Sequence, residues 1–266
     1  MNEWWAVLVL GMVEGLTEFL PVSSTGHLLL VEQLGAIGRR SDLFNVVIQC
    51  SAVLAVLPLF PDRLRQLARA FTDPSGRDYG LKLLVAFSIT GVGGLVLDRL
   101  HFQLPESPLP VATALVLGGL AFLLLEARLR GCTLADRITW PVAIAVGLGQ
   151  LLAAIFPGTS RSGATILMAL ILGTSRPCAT EFSFLVGIPT LLAAGGLKLA
   201  QAWVSGMGPP ESWGVIGVGS LTSAVVSFAA VKWMLRYVQT HTFILFGWYR
   251  IALGLVILAC ITVGER

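Results

Sequence analysis

Six stretches of this chain, 43–60, 81–97, 110–127, 181–203, 213–236 and 244–263, are each mostly apolar over about the 20 residues that a bilayer crossing needs. A chain with six such runs has lipid as the solvent for much of its surface. It must then satisfy its backbone hydrogen bonds internally, which helices do within each crossing. The charge content agrees, since 12% of the residues are charged against about 25% in a soluble domain. A net charge of +3 is too mild to suggest nucleic acid as a partner. The four cysteines, Cys50, Cys132, Cys178 and Cys260, are scattered without a C-x-x-C pair. They read as small apolar membrane residues rather than a disulfide or zinc framework. The apolar N-terminus lacks a basic n-region and a small-residue cleavage site, so it is not read as a removed signal peptide.

Two further segments, 4–36 and 139–173, are apolar, then broken, then apolar again. The first break reads Pro21-Val22-Ser23-Ser24-Thr25-Gly26-His27 and the second Pro157-Gly158-Thr159-Ser160-Arg161-Ser162-Gly163. Each flanking half is too short to cross alone, so each segment is expected to enter the membrane, stop and return. The second halves are expected to restart as helices near Leu28 and Ala164. Irregular backbone at that depth must be buried in protein or line a wet cavity. An offset of 136 residues superposes Pro21 on Pro157, Ser23 on Thr159, Ser24 on Ser160, Glu14 on Gln150 and Gly11 on Gly147. Each broken segment is followed by three spans.

A unit with an odd number of crossings is followed by its copy upside down. The expected fold is therefore an all-α polytopic membrane protein. It has six transmembrane helices plus two re-entrant helix pairs in an inverted repeat, with the two tips facing each other. The whole chain, 1–266, forms a single membrane domain, with repeat one over about 4–127 and repeat two over about 139–263. Arginine placement orients it. With both termini outside, the inside loops 61–80, 128–138, 174–180 and 237–243 hold Arg63, Arg65, Arg69, Arg77, Arg128, Arg130, Arg137 and Arg176. Arg39, Arg40, Arg99 and Arg266 lie on the other side, and Arg39 and Arg40 argue against this orientation. The longest polar connection is 61–79.

Charged groups inside such a chain mark chemistry. Glu14 and Glu18, spaced i,i+4, share one face of the first half-helix, where two carboxylates call for a cation, a proton or an arginine. Arg161 offers a planar fork of donors suited to phosphate oxygens. Thr159, Ser160 and Ser162 add hydroxyls, and the resuming helix adds free N–H groups and its positive dipole end, so the second tip is an anion site. Ser23, Ser24, Thr25 and His27 give the first tip a similar character, with Ser23 and Thr25 equally readable as helix caps. His27 could transfer a proton or attack phosphorus. Gln49, Lys198, Glu181 and Arg250 are weaker candidates to line the cavity. Glu126 reads as structural, and His101 and His241 as solvent-facing loop ends.

The run Glu14-Gly15-Leu16-Thr17-Glu18-Phe19-Leu20-Pro21-Val22-Ser23-Ser24-Thr25-Gly26-His27 resembles the first signature of the undecaprenyl-diphosphate phosphatases of the bacitracin-resistance type. Pro157-Gly158-Thr159-Ser160-Arg161-Ser162-Gly163 resembles their second. Length and span count match as well, so the resemblance covers essentially the whole chain. It implies hydrolysis of the C55 lipid carrier from diphosphate to monophosphate, recycling it for peptidoglycan synthesis. It also implies a bacterial cytoplasmic membrane location with the site open to the outer face, and a divalent cation, Mg²⁺ or Ca²⁺. The residues carried over are Glu14, Glu18, Ser24, His27 and Arg161, with Glu14 and Glu18 on the metal. Ser23, Thr25, Gly26, Thr159, Ser160, Ser162 and Gly163 stand beside the substrate. The attacking group stays open among Ser24, His27 and a water. The expected partners are the polyprenyl diphosphate and membrane lipids, and a homodimer is compatible with the sequence. The rival reading is a lipid-phosphate transporter or flippase on the same inverted repeat, which would need no nucleophile.

Overall fold

The computed structural model describes residues 3–33, 38, 40–100, 107–205 and 211–264. Among them the chain forms helices α1 (Glu3–Thr17), α2 (Ser24–Gln33), α3 (Asp42–Val56), α4 (Pro61–Ala68), α5 (Pro74–Arg99), α6 (Pro108–Arg128), α7 (Trp140–Ile155), α8 (Arg161–Ile171), α9 (Arg176–Val204), α10 (Trp213–Tyr237) and α11 (Ile244–Gly264). Six helical stretches are long and apolar enough to cross a membrane: Asp42–Leu59, Pro74–Arg99, Pro108–Arg128, Arg176–Val204, Trp213–Tyr237 and Ile244–Thr262. They coincide with the six apolar runs, and the protein is a multi-pass membrane protein. Local chemistry sets where the helices begin. Ser41 and Ser212 accept the N–H groups of Phe44 and Val215 as caps, Asp73 caps α5, and prolines occupy the first turns of α4, α5, α6, α7 and α9.

The connection 61–79 is not all loop. Pro61 starts α4, and Arg65 pairs with Asp62 at 3.0 Å along it. The helix is short and amphipathic, with Leu64, Leu67 and Ala68 on one face and Asp62, Arg65 and Gln66 turned away from it.

The two broken segments differ from expectation in where they restart. α2 begins at Ser24 and α8 at Arg161, three to four residues earlier than Leu28 and Ala164. In each case the preceding serine has a positive φ, 73° at Ser23 and 66° at Ser160. That conformation costs an L-residue about 1–2 kcal/mol. It aims the serine Oγ at the N–H of Gly26, 3.3 Å away, and of Gly163, 3.2 Å away. The tips therefore align with an offset of 137, Ser23 on Ser160, Ser24 on Arg161 and Gly26 on Gly163. The pairings of Ser23 with Thr159 and Ser24 with Ser160 are one residue out. The offset of 136 holds in the preceding helices, because the second break contains one extra residue between its proline and its cap.

Packing relates the halves by exchange. α1 lies along α10 and α7 along α5; α3 packs on α10 and α5 on α9; α6 packs on α11 and α3 on α9. Substituting each helix by its counterpart turns every one of these pairs into another pair or into itself. Small residues permit the close approaches. A Cβ on Gly11 would lie 2.7 Å from Gly219 O on α10, and one on Gly147 would lie 2.9 Å from Ala86 O on α5. Gly11 and Gly147 are the residues that the 136 offset superposes.

One end of the bundle gathers the arginine-bearing loops. There Arg63 pairs with Glu181, and Arg176 pairs with the buried Glu126, which also accepts the Phe243 N–H at 2.9 Å. Ala135 N–H donates to Gly173 O, and Ser175 N–H to Ala135 O, each at 2.9 Å. Glu126 is structural, as expected, and His241 is exposed against Tyr237. Arg39, His101, Arg266 and the segment 206–210 lie outside the described residues. The four cysteines are free thiols.

At the opposite end Arg40 pairs with Glu3 at 3.2 Å, and Glu211 accepts the Ser41 N–H at 2.8 Å and its Oγ–H at 2.6 Å. Burial opposes ionisation of Glu211, but the Ser41 hydrogen bonds and nearby Arg40 outweigh it and hold the carboxyl below its ordinary range. A depressed folded-state pKa stabilises the fold above the ordinary glutamate value of about 4.3 and loses that contribution as pH falls through the folded value. Thermal unfolding in detergent is expected to show wild type more stable than Glu211→Gln at pH 7. The gap should close progressively below about pH 4.3.

Candidate functional site

Glu18 is the point where the two tips meet. Its backbone extends the last turn of α1 through a bond from Glu18 N–H to Glu14 O at 3.0 Å. Its carboxylate receives Ser24 Oγ–H on Oε2 at 2.9 Å and Arg161 Nη2 on Oε1 at 3.1 Å. Ser24 and Arg161 are the first helical residues of α2 and α8, so one carboxylate engages the same structural position in each tip. Glu14 is buried one turn back, beside Glu18, Gln49 and Arg161. Two carboxyl groups thus share one guanidinium. Arg161 Nε and Nη1 are buried without a partner among the described residues. The guanidinium lies against Gly187 of α9, where a Cβ would overlap Nη1.

A cavity of about 250 Å³ opens at this point, lined by Glu18, Ser23, Ser24, Thr25 and Gln49 on one side and by Thr90, Gln150, Ser160, Arg161 and Thr190 on the other. Gln150 donates through Nε2 to Thr90 Oγ1 at 2.8 Å, while its Oε1 is buried and has no partner among the described residues. The first two N–H groups of α2 and of α8 have no intrahelical acceptor, by the geometry of a helix start. A guanidinium, hydroxyls and two helix N-termini thus surround one hollow, a set of groups of the kind that bind anions. A larger apolar groove of about 880 Å³ lies between α6, α7 and α8, lined in part by Leu117, Leu152, Phe156, Leu167 and Ile171. It reaches Pro157, which also walls the polar cavity.

The remaining expected residues stand behind the cavity rather than in its wall. Ser162 Oγ–H donates to Leu20 O at 3.0 Å, a direct link between the tips. Gly26 packs on Leu115 and Gly163 on Arg250, and Thr159 O accepts from Arg250. His27 has both ring nitrogens engaged. Nδ1 is 2.7 Å from Ser23 O, which can only accept, so Nδ1 carries the hydrogen. Nε2 then accepts the Tyr249 hydroxyl at 2.6 Å. The two rings stack with centroids 5.6 Å apart. Of the weaker candidates only Gln49 lines the cavity. Glu181 is engaged by Arg63, Lys198 is exposed on α9, and Arg250 is fully buried behind both tips. Tyr249, Thr90, Thr190 and Gly187 carried no sequence signal, because each is brought in from a distant span.

The sequence matches the family described as "Bacitracin resistance protein BacA" over residues 7–256. The chain belongs to this family. It is 48% identical over 258 residues to a protein of Rhizobium leguminosarum bv. trifolii (strain WSM2304) named "Undecaprenyl-diphosphatase", covering 96% of each chain. Proteins of the same name from Xylella fastidiosa (strain 9a5c) and Xanthomonas oryzae pv. oryzae (strain PXO99A) are 47% identical over 263 residues and 46% identical over 259 residues. These alignments cover 98% and 97% of this chain and 100% and 97% of the relatives. The BacA-type signatures at 14–27 and 157–163 are the segments that the fold brings together around Glu18.

Because the Arg161 guanidinium occupies the space over Gly187, Gly187→Ala should displace it from Glu18 while favouring the helix. The variant is expected to keep its thermal stability and to bind inorganic diphosphate about 10- to 100-fold more weakly, measured by calorimetry, the scale of a lost charge-assisted contact.

Proposed function

We propose that this BacA-family protein hydrolyses undecaprenyl diphosphate to undecaprenyl phosphate and inorganic phosphate. In doing so it would recycle the lipid carrier for peptidoglycan synthesis at the outer face of the bacterial cytoplasmic membrane. The observation that carries the reading is the Ser24–Glu18–Arg161 set: a hydroxyl donating to a buried carboxylate that is itself held by an arginine, at the wall of a cavity. A nucleophile, its base and an anion clamp within one hydrogen-bonded group suit phosphoryl transfer, in which positioning and charge stabilisation supply most of the catalysis. The names of nearly full-length relatives support the substrate. The transporter reading leaves the Ser24–Glu18 pair without a task and has no support among these relatives.

In this mechanism Arg161 and the N–H groups opening α2 and α8 hold the non-bridging oxygens of the diphosphate. Ser24 Oγ attacks the terminal phosphorus and passes its proton to Glu18. The bond from that phosphorus to the bridging oxygen breaks, and undecaprenyl phosphate leaves with the electron pair. Water then cleaves the phosphoserine, with Glu18 returning the proton. The geometry favours Ser24 over His27, whose ring nitrogens are both engaged by Ser23 and Tyr249. His27 instead braces the positive-φ serine. The prenyl chain leaves sideways between spans, and the apolar groove reaching Pro157 supplies a surface of the right character.

The excess carboxylate fits a divalent cation, Mg²⁺ or Ca²⁺, held by Glu14 and Glu18 with the Gln49 side chain nearby. No cluster of three or more metal-type side chains occurs among the described residues. The substrate's oxygens and water would therefore complete the shell, as is common for Mg²⁺. Such an ion would neutralise charge on the diphosphate. The paired packings of α1 on α10 and α7 on α5 support an inverted repeat, and the arginine-rich loops gathered at one end support placing that end inside.

Phosphate release from C55 diphosphate by purified protein in Mg²⁺ or Ca²⁺ tests the reading. Arg161→Ala and Glu18→Ala are each expected to lose about 100- to 1000-fold in turnover. Ser24→Ala should lose at least as much and abolish a trapped phosphoserine seen by mass spectrometry, whereas His27→Ala should retain that adduct. Folded wild type that binds the lipid but releases no phosphate with either metal would overturn it.

A further inference from the structure

Arg250 is the largest fully buried side chain among the described residues, and its only recorded hydrogen-bond acceptors are backbone carbonyls. Nη1 donates to Pro21 O of the first tip at 3.2 Å. Nη2 donates to Thr159 O of the second tip at 2.8 Å, and reaches Gly158 O and Ala114 O of α6 at 3.3 Å. No carboxylate pairs with it among the described residues. Three of these acceptors, the carbonyls of Pro21, Gly158 and Thr159, lie where the chain has left helical geometry, just before the positive-φ serines Ser23 and Ser160. Buried carbonyls there would otherwise lack donors, at a cost comparable to a lost hydrogen bond.

Space for the guanidinium is provided by two glycines. A Cβ on Gly118 of α6 would overlap Nη2, and one on Gly163 of α8 would lie 3.0 Å from Nη1. The position also follows from the repeat. α6 and α11 begin 136 residues apart, at Pro108 and Ile244, and that register superposes Ala114 on Arg250. α6 and α11, which carry them, are exchange partners packed on each other. One repeat thus supplies the arginine and the other an alanine whose carbonyl receives it. A single guanidinium near the exchange axis can reach both tips, and a second would clash with the first in size and charge.

We propose, building on the phosphatase reading above, that Arg250 is the positioning residue of the site. It fixes the two tips relative to each other so that Ser24 from one and Arg161 from the other address the same carboxylate and the same diphosphate. Arg250 touches no substrate, being wholly enclosed. It acts through the Pro21 and Gly158–Thr159 carbonyls, and the rigid planar fork is what allows one side chain to serve both segments. Tyr249, its neighbour, reinforces the first tip through His27.

The test compares wild type, Arg250→Gln and Arg250→Lys, with Arg176→Gln as a control for loss of a structural ion pair at the far end. Turnover of C55 diphosphate, KM, the Kd for methylenediphosphonate and thermal stability are measured on monodisperse protein. A partly unfolded sample lowers apparent turnover but leaves Kd and KM unchanged, so these two constants separate positioning from mere stability. Arg250→Gln is expected to bind the diphosphonate about 10-fold more weakly and to turn over about 10- to 100-fold more slowly. Arg250→Lys, with the charge but not the fork, should lie between it and wild type. Arg176→Gln should lower the melting temperature with Kd unchanged. If Arg250→Gln does not yield folded protein, Arg250→Lys alone decides by the same two constants. Wild-type Kd and KM in the folded Arg250 variants, whatever their melting temperature, would overturn the proposal. Failure of wild type itself to bind diphosphonate or release phosphate would instead sink the phosphatase reading, and this proposal with it.

Discussion

A backbone that stops being helical within a membrane must find partners for the N–H and C=O groups it frees, because lipid offers none. The two breaks in this chain meet that demand in matching ways. Each restarts on a serine in the left-handed region whose hydroxyl caps the third helical N–H. Each leaves two further N–H groups without an intrahelical acceptor, and each surrenders carbonyls to Arg250. The proposed binding site is thus built on the same backbone segments that the breaks free from helical bonding.

Charge follows the same division. Arg250 lies behind the tips, bonded to carbonyls and with Nε unpaired among the described residues, while Arg161 lies in front with Glu18 and with Nε and Nη1 unpaired among them. What separates the two is that Arg161, not Arg250, lines the cavity. Glu14 and Glu18 outnumber the guanidinium they face.

The exchange packing explains how so few residues hold this geometry. α1 carries Glu14 and leads directly into Glu18 but rests on α10, and α7 carries Gln150 but rests on α5 and bonds to Thr90. Each broken helix is thus fixed by a span from the other half of the sequence. Relative movement of the halves would disturb both tips at once. The resulting site is not symmetric. A carboxylate at position 14 corresponds to an amide at 150, a serine at 24 to an arginine at 161, and an alanine at 114 to an arginine at 250. One repeat contributes the candidate nucleophile and base, and the other the anion clamp.

Span number, the two breaks and the family were legible in the sequence. Lipid imposes run length, and glycine, proline and serine clusters mark breaks without reference to the rest of the fold. Glu18, Ser24 and Arg161 were legible too, since intramembrane charge and hydroxyls at a helix start are costly unless used. The register of the tips was not legible to one residue. Cap geometry depends on which serine adopts the positive φ, and composition cannot choose between Ser23 and Ser24 or between Thr159 and Ser160. Nor could sequence separate the side chains facing the cavity from those behind it. His27 and Ser162 belong to the same motifs as Ser24 and Arg161, yet point to Tyr249 and Leu20. Gly187 and Arg250 act only because α9 and α11 pass within contact of tips that lie far away along the chain. Periodicity along the chain specifies which segments enter lipid, but contacts between segments decide which polar groups are spent on the backbone and which remain for a ligand.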